Sequence, residues 1–283
     1  MNTWLTSVFA CILSASFLAG CASERPAAAP SATTGADKTT FTIGGSGSNL
    51  TVTRQLLSAF ALPNGQTITV PDSLGSGGGI AGFQQGAIDL ALTSRPLTPA
   101  EKQTGLQEIP YAKSGLAVAV GPNVPDKNLS FKELIQIYNG EKTTWSDGSD
   151  IIVFLMYEKD STNEVLSAVI PGFQAILADA FRQHRWQIFY TQQAQEEALS
   201  KTSGAVGFTN LSAEQNYPLT FLTVNGVEPT AQSIKRGSYP LYKTLYYVHS
   251  GALPPLMRNF IDFTFSKQGK ERIEAAGCIP LER

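Results

Sequence analysis

Phe41-Thr42-Ile43-Gly44-Gly45-Ser46-Gly47-Ser48-Asn49-Leu50 passes from a buried strand, through a glycine-rich turn, to the start of a helix over Thr53 to Leu62. Glycine lets the backbone turn tightly, and a helix start offers unpaired N–H groups that suit an anion. Ser48 and Asn49 are placed either to cap the helix or to donate to a ligand. The same sequence logic returns twice nearby. Thr67 to Val70 reads as a strand, and Gly75-Ser76-Gly77-Gly78-Gly79-Ile80 then opens a helix over Ile80 to Gln85. Ile88 to Leu92 reads as a third strand, followed by Thr93-Ser94-Arg95-Pro96-Leu97-Thr98. Arg95 is the only arginine near these loops. It either offers a bidentate fork to an oxyanion or forms a surface or lobe-to-lobe ion pair.

Working outward, short apolar runs keep alternating with amphipathic stretches. Leu116 to Val120, Ile151 to Met156, Ala205 to Phe208 and Leu245 to Val248 read as strands. Phe131 to Tyr138, Ala194 to Lys201 and Leu256 to Phe265 read as helices, as does a long run over Glu164 to Gln183 that has to tolerate Pro171-Gly172. Strands spaced by helices imply mostly parallel sheets flanked by helices. The pattern restarts midway, so the expected fold is α/β with two lobes and a ligand cleft between them. The chain is expected to cross near Gly121-Pro122 and again between Thr223 and Arg236. Lobe I is then residues 41–121 with 230–283, and lobe II is residues 122–229. Asp160-Ser161-Thr162-Asn163, after the Ile151 to Met156 strand, is a further helix start suited either to capping or to an anion.

The chain has 283 residues, a net charge of -2 and 16% charged residues, which offers no basic surface for nucleic acid. Trp4 to Gly20 is uncharged, too short for a comfortable membrane span, and fits a signal-peptide core. It ends in Leu18-Ala19-Gly20-Cys21, which resembles the lipobox of bacterial lipoproteins, with Cys21 as the lipidated mature terminus. Residues 1–20 are thus expected to be a signal peptide. Residues 21–40, rich in Ala, Pro, Ser and Thr, are expected to be a disordered tether from a lipid anchor. Cys278 is the only cysteine of the mature body, so no disulfide is expected and a buried, small apolar role suits it. The two histidines, His184 and His249, belong to no catalytic motif, and there is no metal-ligand cluster, nucleophile elbow or Walker pattern. The expectation is a monomeric binding protein, not an enzyme, without metal or cofactor.

Taken together, the motifs resemble those of the phosphate-binding proteins of ABC-type phosphate importers, which have the two-lobed periplasmic-binding-protein type 2 fold. The resemblance covers nearly all of the body. It is carried by Gly75 to Ile80, Asp89 to Leu97, Leu129-Ser130-Phe131 through Ile137 to Asp147, Gly204 to Phe208, Gly237 to Leu241 and Gly277 to Leu281. It implies ligand contacts at Asn49, at the backbone of Leu50, and at Ser76 with Gly77 beside it. The family's acidic acceptor falls on Ser94, its second-lobe arginine on Tyr157, and its Ser-Gly-Thr on Ser161-Thr162-Asn163. Both charged ligand groups are therefore replaced, with Arg95 one residue from the first. The resemblance implies an exported, lipid-anchored receptor on the cell envelope that passes phosphate or a similar oxyanion to an ABC permease. Two alternatives stay open: a same-fold binder of another oxyanion or small organic acid, and a sensor lipoprotein without tight binding.

Overall fold

The structure is a computed structural model that describes residues 38–283, apart from the side chains of 214 and 215. The sequence-predicted signal peptide and Cys21 lie outside the described residues, as does most of the tether. The tether's last residues are held in place. Lys38 pairs with Asp89, Thr39 accepts the N–H of Thr67, and Thr40 opens the first strand.

The first part of the chain runs β1 (Thr40–Gly45), α1 (Leu50–Leu57), β2 (Thr67–Thr69), α2 (Gly75–Gln84), β3 (Leu90–Thr93), α3 (Pro99–Gln103) and β4 (Leu106–Val120). The middle runs β5 (Asn128–Leu129), α4 (Phe131–Asn139), β6 (Ile152–Met156), α5 (Ser161–Val169), α6 (Phe173–Arg182), β7 (Gln187–Phe189), α7 (Gln192–Lys201), β8 (Ala205–Asn210) and β9 (Thr220–Val224). It ends with α8 (Ala231–Lys235), β10 (Tyr242–Ser250), α9 (Pro255–Phe265), α10 (Lys267–Ala275) and β11 (Cys278–Pro280).

The sheet order β2-β1-β3-β10-β4-β8-β6-β7 is mixed. The outer strands β2, β1 and β3 are mutually parallel, as are β8, β6 and β7, which fits their helical crossovers. Between them β10 and β4 run antiparallel, to each other and to their outer neighbours. One apolar core gathers Ile43, Leu56, Leu92 and Tyr247 under α1 and α9. A second gathers Val118, Ile137, Leu155, Phe173 and Phe208 under α4 to α6, and Ile234, Tyr239 and Leu241 join it. β4 carries the chain unbroken from one core to the other. Its residues 106–115 pair with β10, and Leu116–Val120 pair with β8.

Several sequence-predicted elements change. The helix expected over Thr53 to Leu62 is α1, which starts at Leu50 and ends at Leu57. The single helix expected over Glu164 to Gln183 is two, α5 and α6. Ile170 is extended at φ -100°, and Gly172 is left-handed at φ 80°. Pro171 has no N–H to donate and pushes its predecessor out of the helical region, so the break follows from local chemistry. The glycine run at 75–79 lies inside α2 instead of preceding it. A Cβ on Gly79 would lie 2.7 Å from the Gly45 Cα, so bare glycine lets this helix rest on β1. The expected strand at Leu116 to Val120 is the last third of a much longer one. Pro110 and Lys113 hid its first part, and Pro110 is accommodated where the β4–β10 register shifts beside Leu245. Cys278 is a buried free thiol, its pKa pushed up to about 12 by burial.

Candidate functional site

The strand-to-helix turns of the first lobe converge. Gly45 swings the chain away from β3, and the Ser46 N–H then donates to the Leu92 carbonyl at 2.9 Å. This aims the Ser46 hydroxyl at Ser94, just past the end of β3, with the two oxygens 2.7 Å apart. The Ser94 N–H donates to the Ser76 hydroxyl, in the first turn of α2, at 3.2 Å. The Ser94 hydroxyl also shares a hydrogen bond, again 2.7 Å, with Ser161 at the start of α5. Hydroxyls from four separate turns thus meet at one seam, and all four serines are buried. Each hydroxyl both donates and accepts, so such a cluster can reorganise around the oxygens of an anion.

Lys243 lies at the same seam. It sits on β10, and its side chain has no exposed surface. Its ammonium donates to Ser48 at 3.1 Å and to Thr162 at 2.8 Å, and lies 3.6 Å from Asp160 Oδ1. Asp160 caps α5 by accepting the Thr162 N–H at 2.8 Å. One carboxylate therefore orients the helix start and offsets the buried cation. Burial lowers the Lys243 pKa, while Asp160 acts to raise it.

The other sequence-predicted residues have different surroundings. Asn49 is fully buried; its amide donates to the Thr93 carbonyl and its oxygen accepts the Tyr111 hydroxyl at 2.7 Å, which ties the first turn to β3 and β4. The Leu50 N–H donates to the Gly47 carbonyl, and the Leu50 side chain joins the first core. Asn163 turns its amide back to the carbonyl of Tyr157 at 3.0 Å. Arg95 is gripped bidentately by Glu101 at 2.8 and 2.7 Å, and lies 3.7 Å from Glu164. The Arg95 guanidinium holds the Glu101 carboxyl down to about 2. Arg95, Gly77 and Tyr157 line a separate cleft of about 840 Å³. There Tyr157 stacks on Tyr190 with ring centres 6.1 Å apart. The Tyr157 hydroxyl reaches the start of α2, where a Cβ on Gly75 would lie 2.4 Å from it.

Sequence reasoning missed Lys243 and the part played by the Ser46 hydroxyl, while Asp160 caps α5 as its motif suggested. A signal for Lys243 existed. Leu241, Lys243, Leu245 and Tyr247 share one register of a strand, so the lysine stands in a row of inward-facing apolar residues.

Two α/β lobes joined by antiparallel central strands, with helix starts from both lobes meeting between them, define the two-lobed solute receptors. Residues 30–268 match the model of the PBP superfamily domain, and the chain belongs to that family. The phosphate-binding protein PstS of Borreliella burgdorferi is 25% identical over 85% of this chain and 89% of its own. The protein of the same name from Bacillus subtilis is 25% identical over 73% of this chain and 69% of its own. A substrate-binding protein from Clostridium perfringens, solved with bound phosphate, superposes with a TM-score of 0.76 at 24% identity, covering 86% of this chain and 100% of its own. The resemblance read from the motifs and the two-lobed type 2 fold both hold. Among the described residues no helix is long and apolar enough to cross a membrane, and no group of His, Cys, Asp and Glu is arranged to hold a metal.

Proposed function

We propose that this chain is an exported, lipid-anchored receptor that captures phosphate for an ABC-type importer. The observation that carries the reading is the seam itself. Ser46, Ser76, Ser94 and Ser161 join through their hydroxyls there, and the buried ammonium of Lys243 bonds Ser48 and Thr162 from the same two helix starts. Neutral donors with one positive charge match a tetrahedral oxyanion, and the names of the relatives point to phosphate. The proposed lobes are residues 41–121 with 230–283 and residues 122–229, closing on the ligand between them. Lys243 supplies the charge that the family's arginine position, here Tyr157, does not.

Titration calorimetry of the purified protein with inorganic phosphate tests the reading, and absence of any binding refutes it. Arg95→Ala separates the two candidate cations. Because Glu101 already neutralises Arg95 outside the hydroxyl cluster, this variant is expected to keep phosphate affinity within about threefold of wild type, the scale of a largely screened charge. Loss of binding in Arg95→Ala would instead make Arg95 the ligand's partner. The anchor is tested at Cys21. Cys21→Ala is expected to move the protein from the membrane fraction to the soluble fraction, or to leave it unprocessed. A wild-type protein recovered wholly soluble refutes the anchor alone.

A further inference from the structure

A cavity of about 410 Å³ adjoins the seam at Gly47, the residue between Ser46 and Ser48. Residues of α1, including Arg54, form one side of its lining, and Gln192, Gln193, Glu196 and Asn210 are on the other. Glu196 is 6% exposed. Its carboxylate accepts the Thr209 hydroxyl at 2.5 Å, and Thr209 in turn accepts the Gln192 amide at 3.0 Å, so the acid is held in one orientation. Among the described residues Glu196 has no ion-pair partner within salt-bridge reach. Its surroundings hold further acceptors: Gln193 Oε1 and Asn210 Oδ1 are buried without a hydrogen-bond partner. Arg54 does not offset this, since its side chain is half exposed and leans toward Asp72 at 3.9 Å.

A buried carboxyl without an ion-pair partner, and two orphaned acceptors in the same lining, are costly unless something donates to them. Burial raises the Glu196 carboxyl to about 7, and Lys243 lies close enough to pull it partly back down. A hydroxyl would satisfy one acceptor but leave the carboxylate unneutralised, whereas an ammonium brings three donors and the missing charge.

We propose that this cavity is a second subsite that takes the ammonium end of a zwitterionic phosphate ligand, an aminoalkyl phosphate ester or phosphonate, with its phosphate end among the seam hydroxyls. The proposal rests on the phosphate reading above and narrows its ligand class. The test is calorimetry of the purified protein with O-phosphoethanolamine and with inorganic phosphate, for wild type and Glu196→Gln. Wild type is expected to prefer the amino ester by about tenfold or more, the scale of a charge-assisted hydrogen bond. Glu196→Gln, which keeps the shape, is expected to erase that preference. Thermal melting of the variant confirms that it folds. Asn210→Ala, which removes a neighbouring acceptor, is expected to reduce the preference as well. If wild type binds inorganic phosphate but not the amino ester, or if Glu196→Gln leaves the preference intact, the subsite is wrong and the phosphate reading stands. If neither ligand binds, both fall.

Discussion

Lys243→Met is expected to weaken phosphate binding by tenfold to a hundredfold, about 1.5–3 kcal/mol, without unfolding the protein. The side chain it removes is the buried cation that touches Ser48 from the first lobe and Thr162 from the second. Methionine has a similar length and no charge, so the space stays filled. Asp160 loses its counter-charge but keeps the Thr162 N–H, and its side chain retains some exposure, 12%, through which water reaches it. The folding penalty is therefore smaller than for a fully buried pair cut in half. Calorimetry gives the affinity and a thermal melt gives the stability. A Lys243→Met protein that melts normally and binds phosphate like wild type removes the lysine from the site. Lys243→Arg is not expected to rescue binding, because a planar guanidinium has no room in a position with no exposed surface.

Gly45→Ala is expected to destabilise the protein by roughly 3–5 kcal/mol and to abolish ligand binding. Gly45 has φ 148°, a region side chains rarely enter. A Cβ there would lie 2.1 Å from the Leu92 carbonyl oxygen, and backbone cannot rotate out of the way as a side chain tip can. The same carbonyl receives the Ser46 N–H, so relief of the clash pulls Ser46 away from Ser94. Gly65→Ala is the control. Its φ of 77° is also left-handed, but nothing lies within 4 Å of the added carbon. It is expected to cost only about 1–2 kcal/mol. Equal melting temperatures for the two variants would show that strain alone, and not the approach of β3, makes Gly45 necessary.

The turns were legible because their signals are local. Gly44 to Asn49 announces a tight turn within a few residues, and Asp160-Ser161 announces a cap, whereas Gly75 to Gly79 reads as a loop although it is the first half of α2. The ion pair of Arg95, expected instead as a ligand contact, had a local signal that went unread. Thr98-Pro99-Ala100-Glu101 is a capping box with Pro at its first helical position, and it places a carboxylate six residues from the arginine. Lys243 was hidden for a different reason. Its partners, Ser48 and Thr162, lie 195 and 81 residues away in sequence. The pairings of β10 with β3 on one side and β4 on the other bring the three together, and the second was obscured by Pro110 and the register shift beside it. Asn49 shows the converse. Its residue type suits a ligand donor, but the Tyr111 hydroxyl that claims its oxygen comes from a distant strand.

β4 has a mechanical consequence. A hinge made of two loops would leave each half free to melt by itself. Here a single ladder rung separates the residues bonded to β10 from those bonded to β8. Tilting one half against the other loads this strand in torsion, while its hydrogen bonds stay made on either side. The same strand denies either half a separate existence. The shared strand makes the two halves one cooperative folding unit.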